Sequence, residues 1–211
     1  MAWTLLAGVP ADDVRHVVSI ARRRTFSRGE VVFHDGDPAE AMHLVVKGRF
    51  AVRVTTPLGD VVLLSLQGPG DCFGELALLG TESRRSATVA ALEPGETLSV
   101  MRADFARLLA QNPGVSRVLL ALLAGQLRRS NERLVEAHYV DADTRVRRRL
   151  RELAELYGGG TIPLTQEEIA EIAGTSRATV NRVLREEEKK GTLELARGRT
   201  IVRDLEALRT R

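Results

Sequence analysis

The most extended hydrophobic pattern in the chain runs from Asn112 to Val140 and predicts one long helix. Asn112-Pro113 is a helix start, because an Asn side chain caps free N–H groups and Pro is tolerated at the first helical position. About 28 helical residues would span roughly 42 Å, which is more than a compact domain needs. Apolar residues recur along the stretch at alternating spacings of three and four, which is typical of a seam for a partner helix. The seam positions are Leu120, Leu123, Leu127, Leu134 and Ala137.

A polar interruption and a second apolar stripe accompany this seam. Ser130 takes a d position of the heptad, and Asn131 follows at an e position on its flank. The two residues either set the register of a helix pair, as polar positions do in many coiled coils, or bind a polar group between the helices. The second stripe lies beside the seam, where we expect it to pack on the chain's own preceding domain. It consists of Val115, Val118, Leu119 and Leu122.

The residues before the long helix predict a short helix and then a β domain. Residues 11–24 begin with acidic residues and end with the basic run Arg22–Arg24, which predicts an amphipathic helix with a solvated basic end. From Thr25, short β-branched runs alternate with Gly- and Pro-containing turns at intervals of about 8–12 residues, which indicates an all-β roll. The predicted strands contain the runs 31–33, 44–46, 50–54 and 61–64.

A polar hinge follows the long helix. Residues 141–144 contain two Asp residues, and either is suited to cap a helix over residues 145–157. Five arginines lie in the first two turns of that helix. This arginine cluster either faces DNA phosphates or forms ion pairs with Glu152 and Glu155 on the helix surface.

Two capped helices joined by a glycine come next. Thr165 and Glu168 have the spacing of a capping box, in which each side chain bonds the backbone N–H of the other residue. Gly174 makes the turn, and Ser176 caps the second helix. This succession is typical of a helix-turn-helix. The apolar contacts between its helices are expected from Ile169, Ile172, Val180, Val183 and Leu184.

Composition excludes several classes of protein. The 211 residues suffice for two domains, 44% are hydrophobic, and the net charge of +3 permits nucleic-acid binding without demanding it. The single cysteine, Cys72, excludes an intrachain disulfide and any cysteine-built zinc or iron–sulfur site within one chain, and we expect it to be a buried strand residue. Neither a signal peptide nor a membrane span is expected. The four histidines lie beside no nucleophile motif, so we expect neither an enzyme nor a metal site.

Residues 73–88 have the chemistry of a phosphate site. Gly74 lets the backbone approach a ligand, a short helical turn exposes N–H groups, and Arg85 suits two phosphate oxygens. If Glu75 is buried it needs a partner, and a sugar hydroxyl would serve. Taken alone, the same residues also fit a structural turn with a surface arginine.

Phe-Gly-Glu-Leu-Ala-Leu at residues 73–78, with Arg-Ser-Ala beginning ten residues after the Glu, resembles the phosphate-binding cassette of cyclic-nucleotide-binding domains. Together with the β pattern before it and the long helix after it, the chain resembles the cyclic AMP receptor / fumarate–nitrate regulator (Crp–Fnr) family of bacterial transcription factors over residues 20–205. The resemblance implies that Glu75 binds the ribose hydroxyl. It implies that the phosphate is bound by Arg85, Ser86 and the backbone around Gly74, Leu76 and Ala77.

The same resemblance gives the polar interruption of the seam a role. In the cyclic AMP sensors of the family a Thr-Ser pair on the long helix contacts adenine across the dimer. Ser130-Asn131 occupies the matching positions, so the resemblance implies that these two residues contact the base.

The second helix of the helix-turn-helix also follows the family pattern, Ser-Arg-Glu-Thr-Val, then a small residue and Arg. Arg177 and Arg182 are both present, and each is suited to a bidentate contact with guanine. Ala178 replaces the Glu and cannot accept a hydrogen bond from cytosine, so we expect a half-site related to the family's GTGA type but altered at one position. The phosphate-contact candidates are Thr165, Ser176 and Arg199, the last on a β-hairpin wing predicted over residues 192–202.

We therefore expect an α+β chain with a jelly-roll-like, cyclic-nucleotide-binding β-roll (residues 1–111), a dimerisation helix (112–140) and a winged helix-turn-helix (141–211). The expected effector is cyclic AMP. The expected partners are double-stranded operator DNA, a second copy of the chain and RNA polymerase, in the cytoplasm and without a membrane. The alternatives are a family member that senses another effector or binds DNA constitutively, and a nucleotide-binding module that regulates a protein partner.

Overall fold

The computed structural model of the chain describes residues 3–79 and 84–209. The chain divides into two units, Met1–Arg129 and Ser130–Arg211, and the long helix continues from one into the other. The predicted fold class is confirmed: a β-roll, a long helix and a winged helix-turn-helix follow one another along the chain. The bounds predicted for the three segments stay a prediction.

Two antiparallel, four-stranded sheets form the β-roll, and the four predicted runs of apolar residues all lie within strands. The strands are β1 (Arg22–Phe26), β2 (Val31–Phe33), β3 (Ala41–Lys47), β4 (Phe50–Thr55), β5 (Val61–Gln67), β6 (Cys72–Phe73), β7 (Thr88–Ala91) and β8 (Gly95–Met101). One sheet has the order β1-β8-β3-β6 and the other β2-β7-β4-β5.

Aromatic rings fill the space between these sheets. Phe26 and Phe73 belong to the first sheet and Phe50 to the second, and all three are buried. The ring centres of Phe26 and Phe50 are 5.7 Å apart, and those of Phe50 and Phe73 are 5.3 Å apart. Edge-on and tilted contacts of this kind suit the quadrupoles of aromatic rings and hold the two sheets together.

Helices cover the outer face of the first sheet. They are a 3-10 turn (Thr4–Leu6), α1 (Ala11–Ile20), α2 (Leu76–Leu79), α3 (Arg102–Gln111) and α4 (Pro113–Tyr139). Val115 and Leu119 of α4 are buried in the same hydrophobic cluster as Phe105 of α3 and Leu44 of β3. Leu122 packs against this cluster from the edge, so the second apolar stripe of the long helix does pack on the preceding domain.

The predicted seam lies mostly exposed on α4. Leu120, Leu127 and Leu134 are 67%, 63% and 60% exposed, whereas Leu123 is half-buried against the chain's own core. Exposed leucines repeated along one helix form an apolar surface that water solvates poorly. This stripe of leucines is available to a partner helix.

One predicted helix end is wrong. Arg22–Arg24 do not belong to the first helix, which stops at Ile20, but form most of β1. They pair with Thr97–Ser99 of β8, and Arg23 forms an ion pair with Glu96. The backbone ladder to β8 decides the conformation of this basic run, because strand formation depends on cross-strand neighbours more than on local charge.

The second unit contains three helices and a small sheet. They are α5 (Ala142–Leu156), β9 (Thr161–Ile162), α6 (Gln166–Ala173), α7 (Arg177–Lys189), β10 (Leu193–Ala196) and β11 (Arg199–Val202). Helices α6 and α7 form the helix-turn-helix, and the hairpin of β10 and β11 is the wing, to which β9 adds a third strand.

The predicted caps of these helices are present. Thr165 and Glu168 form the complete capping box, and the Ser176 side chain accepts from Thr179 N–H at 3.2 Å. Gly174 adopts the left-handed conformation (φ 60°) that ends α6. Helix α5 begins three residues before the predicted start, because Asp141 caps it by accepting from Thr144 N–H at 2.9 Å.

The arginine cluster of α5, Arg145–Arg151, is engaged within the second unit. Arg148 and Arg149 both form ion pairs with Glu136 near the end of α4, and Arg151 pairs with Glu155. Arg147 reaches Glu187 of α7 at 2.9 Å. Of the two interpretations the sequence left open, the structure shows ion pairs, which fix α5 against the elements on either side of it.

Within the described ranges, no single helix is long and apolar enough to cross a membrane. Helices α3 and α4 meet the length and composition criteria only as a pair, and they are bent by 109° relative to each other. Both helices contribute buried side chains to the core of the first unit.

Candidate functional sites

The cassette residues Gly74 and Arg85 come together at the end of β6. Gly74 directly follows that strand and has a φ of +81°, which disfavours any residue with a side chain. A Cβ atom at residue 74 would lie 2.6 Å from Nη1 of Arg85. Glycine is therefore required here on two grounds, backbone conformation and the close approach of the guanidinium.

Arg85 is buried between strands of both sheets and is only 6% exposed. Its Nη1 donates to the Gly74 carbonyl at 3.1 Å and its Nη2 to the Ala41 carbonyl at 2.6 Å. The guanidinium carbon lies 3.9 Å from the centre of the Phe33 ring. Its Nε is buried without a hydrogen-bond partner among the residues that the structure describes. A buried donor of this kind is costly, so the site suits an anion that supplies acceptor oxygens.

Glu75 lies beside this cation and is 5% exposed. Burial raises the pKa of its carboxyl group, while a hydrogen bond with Gln126 of α4 and the positive charge of Arg85 act in the opposite direction. The buried side chain is suited to accept hydrogen bonds from hydroxyl groups, and Arg85 next to it is suited to an anion. A buried acid and a buried arginine side by side match a ligand that carries both hydroxyls and a negative charge.

The other predicted nucleotide contacts are more dispersed. Leu76 and Ala77 begin α2, and Ser86 is exposed directly after Arg85. Residues 80–83, which join the two halves of the cassette, lie outside the described residues. Ser130 and Asn131 belong to the second unit, where both are exposed on α4. Their contact with a base stays a prediction.

His43 and Cys72 lie near the cassette but are not suited to acid–base or nucleophilic chemistry. The His43 ring stacks on Phe73 with centres 5.0 Å apart, and its Nδ1 lies 3.0 Å from the Thr97 hydroxyl. Burial, together with the charges of Arg85 and Arg24, lowers the pKa of His43 to about 3. Burial raises the pKa of the Cys72 thiol, which keeps it protonated. Over residues 3–79 and 84–209, no three His, Cys, Asp or Glu side chains are grouped as metal ligands.

The predicted DNA contacts lie at the start of α6, in the first two turns of α7 and on the wing. Arg177 and Arg182 are exposed on α7, and Arg199 is exposed at the start of β11. Thr165 and Ser176 are also exposed, but their hydroxyls are engaged as helix caps. Each hydroxyl oxygen accepts a cap hydrogen bond, but its O–H group can still donate to a phosphate.

The Arg182 guanidinium is held by carboxylates. Its Nη1 and Nη2 form a bidentate pair with Asp143 in the first turn of α5, and Nη1 also donates to Glu186 at 2.9 Å. The hydrogen bond from Arg182 holds the pKa of Asp143 below its usual range, and Asp143 in turn raises the pKa of Arg182. The guanidinium edge occupied by Asp143 is one that could bind guanine O6 and N7.

The sequence patterns missed several residues of these sites. Phe33, Ala41 and Gln126 contact the cassette from β2, β3 and α4, and Asp143 contacts Arg182 from a different helix. These contacts join residues that are far apart in the chain, so no local spacing predicts them. For Asp143 the sequence indicates only a candidate helix cap in the polar hinge.

Comparison with known proteins assigns each unit to a domain type. Residues 23–112 match the cyclic nucleotide-binding domain model, and residues 144–211 match the Crp-like helix-turn-helix domain model. A nucleotide-binding sensor joined to a DNA-binding domain defines a class of transcription regulators.

Individual relatives cover almost the whole chain. The Cyclic AMP receptor protein of Thermus thermophilus is 35% identical over 200 residues, which are 95% of this chain and 92% of the relative. The CRP-like cAMP-activated global transcriptional regulator of Mycobacterium tuberculosis is 34% identical over 193 residues, covering 88% and 86%. The chain belongs to the Crp–Fnr family of transcription regulators.

A solved structure shows the same fold at lower sequence identity. The c-di-GMP responsive global regulator CLP of Xanthomonas campestris superposes with a TM-score of 0.82 at 19% identity, covering 92% of this chain and 99% of that one. The fold, in which a sensor, a long helix and a helix-turn-helix follow one another along the chain, is therefore shared with a distant structure.

The buried imidazole of His43 makes stability depend on pH. Because its pKa falls from 6.5 to about 3 on folding, the unfolded chain takes up a proton first as the pH drops below 6.5. We expect this residue alone to reduce the free energy of unfolding by about 1 kcal/mol per pH unit below that point. Urea unfolding of the wild type and of His43→Gln from pH 7 to about pH 4 tests this, since carboxyl groups contribute equally to both. Parallel curves for the two proteins would contradict it.

Proposed function

We propose that this Crp–Fnr regulator is a homodimer that binds operator DNA under the control of cyclic AMP. The observation that carries the nucleotide part is the buried pair of Glu75 and Arg85, with the Arg85 Nε buried and lacking a partner among the described residues. A cyclic phosphate brings one negative charge and several acceptor oxygens, and a ribose brings a hydroxyl. The phosphate therefore complements Arg85, and the ribose hydroxyl complements Glu75.

The phosphate binds on the Arg85 side of the site. Ser86, which follows on the exposed side, adds a hydroxyl donor, and the backbone around Gly74, Leu76 and Ala77 adds N–H donors. Glu75 accepts the hydrogen bond of the ribose hydroxyl. Relatives that are named for cyclic AMP support this nucleotide as the effector.

The base binds at the dimer seam. The exposed leucines of α4 pair with the same leucines of a second copy, and Ser130 and Asn131 interrupt this apolar surface with polar groups. A nucleotide held by the cassette of one protomer and by Ser130 and Asn131 of its partner favours one register of the helix pair. That register favours the conformation of the dimer in which the two recognition helices lie about 34 Å apart. This is the distance between two successive major grooves.

The helix-turn-helix then binds the operator. Arg177 and Arg182 contact guanines in the major groove, and Thr165, Ser176 and Arg199 contact phosphates. A regulator of this type works in the bacterial cytoplasm, where bound to DNA it contacts RNA polymerase.

An alternative effector has one observation in its favour. The pair Ser130-Asn131 stands where the cyclic AMP sensors of the family have Thr-Ser. A family member that responds to a different effector, or that binds DNA without an effector, is the second candidate function.

Substitution of Arg85 tests the phosphate contact. Wild type should bind cyclic AMP with micromolar affinity and cyclic GMP more weakly in calorimetric titrations. Arg85→Gln should bind cyclic AMP at least tenfold more weakly, because a charge-assisted hydrogen bond to the phosphate is lost.

Arg84→Gln is the matched control, since it removes the same charge from an exposed neighbour that donates to the Gly36 carbonyl at 2.8 Å. It should bind cyclic AMP as the wild type does. Equal loss in both variants would contradict a specific phosphate contact. No binding of either nucleotide to the wild type would favour the alternative effector.

Substitutions on the seam test the dimer and its link to the nucleotide. Leu127→Lys should give monomers at micromolar concentration in sedimentation equilibrium, because it places charges in an apolar helix pair. Leu156→Lys alters a leucine that is 46% exposed on α5 and should leave the dimer intact.

Ser130→Leu separates assembly from binding. It completes the apolar heptad and should dimerise at least as well as the wild type, yet bind cyclic AMP about tenfold more weakly. Wild-type affinity for cyclic AMP in this variant would rule out base binding at the seam.

Asp143→Asn tests the contact that holds Arg182. Asparagine cannot form the charged bidentate pair, so the guanidinium keeps only its bond to Glu186 and exchanges it for guanine more easily. Operator affinity should therefore rise by up to about fivefold in fluorescence anisotropy. Asp141→Asn is the control, because it removes the same charge two residues away and Asn remains a good helix cap. Equal gains in both variants would indicate a general charge effect rather than release of Arg182.

A further inference from the structure

Asn181 lies in the middle of the exposed face of α7. The buried face of this helix consists of Val180, Val183, Leu184 and Glu187, whereas Asn181 is exposed and shares a face with Arg177 and Arg185 at intervals of four residues. It lies in the second turn of the helix. In a helix-turn-helix, side chains of the first turns of the second helix are those that reach base edges.

The Asn181 side chain is oriented by the other helix of the motif. Gln166, the first residue of α6, donates from Nε2 to Asn181 Oδ1 over a long hydrogen bond of 3.4 Å. In this arrangement Asn181 Oδ1 is the acceptor and Gln166 Nε2 the donor. Oδ1 keeps a second lone pair, and the amide nitrogen keeps two N–H donors. An acceptor and a donor held side by side form the pattern that binds adenine through N6 and N7.

Ala178 leaves this carboxamide accessible. It precedes Asn181 by three residues and is therefore its neighbour on the helix surface. A longer acidic side chain at residue 178 would compete for the Asn181 amide and would itself select cytosine. The methyl group of Ala178 does neither, so it leaves the exposed carboxamide of Asn181 free of competition from residue 178.

We propose that Asn181 selects adenine at one position of each operator half-site and that Gln166 is a positioning residue for this contact. The proposal rests on the DNA-binding function proposed above. Relative to the family pattern, the chain would then lack a cytosine contact at residue 178 and gain an adenine contact three residues later.

Selection of duplexes from a randomised pool by the full-length protein, with and without cyclic AMP, gives the preferred half-site. Anisotropy titrations then measure all four base pairs at each position. One position should prefer adenine about tenfold, and Asn181→Ala should abolish this preference while the preferences at guanine positions remain. Arg177→Ala should lose the guanine preference at one position and keep the adenine preference. Gln166→Ala should weaken the adenine preference and leave the guanine preferences intact.

Two further measurements isolate the chemistry of the contact. Replacing that adenine by 7-deazaadenine removes the N7 acceptor and should weaken binding of the wild type but not of Asn181→Ala. Asn181→Asp offers acceptors only, so it should change the preference at the same position from adenine to cytosine.

The outcomes distinguish this proposal from the function on which it rests. If the protein enriches no sequence under any condition, the proposed operator binding fails. If it enriches a sequence and Asn181→Ala keeps every base preference, operator binding stands and the role of Asn181 is overturned. An adenine preference that survives in Asn181→Ala but is lost in another α7 variant would also overturn it.

Discussion

Burial of the Arg85 guanidinium is the constraint on which the sensor domain depends. A buried cation is costly unless its donors are satisfied, and two of them are bonded to the carbonyls of Gly74 and Ala41 while the Phe33 ring covers one face. These partners belong to the end of β6, to β3 and to β2, so the arginine connects both sheets. Because Gly74 has no side chain, the guanidinium of Arg85 can approach the backbone of residue 74 closely.

The same arrangement makes a structural arginine suited to contact a ligand as well. Carbonyl groups satisfy part of the guanidinium but carry no net charge, and the carboxyl group of Glu75 beside it has its pKa raised by burial. An anion with hydroxyl groups completes the site better than water or a neutral ligand would. Under the proposed function, affinity for a nucleotide and integrity of the β-roll depend on the same side chain.

In the second unit, carboxylates rather than backbone carbonyls neutralise the positive charges of several arginines. Its arginines pair with carboxylates on neighbouring helices, as Arg147 does with Glu187 and Arg182 with Asp143. Internal pairs of this kind fix the helices and also lower the charge presented to DNA. In the proposed contact of Arg182 with guanine, the base replaces the carboxylate of Asp143, which would make affinity sensitive to small movements of α5 against α7.

Much of the fold could be predicted from local sequence. The β-roll, the long helix and the helix-turn-helix follow from features that act within a few residues: the alternation of apolar runs and turns, the heptad spacing, and caps such as Thr165, Gly174 and Ser176. The cassette was recognisable for the same reason, since its residues lie within sixteen positions of the chain.

The tertiary structure decided the rest. It made a strand of Arg22–Arg24 because β8 pairs with them, and it placed Gln126 against Glu75 and Asp143 against Arg182 across long sequence separations. Ion pairs and buried hydrogen bonds form between whichever groups the folded backbone brings within about 3 Å, and local spacing carries no record of that distance. The amino-acid sequence by itself determined the elements and the chemistry available to them, and the packing of those elements determined which charges meet.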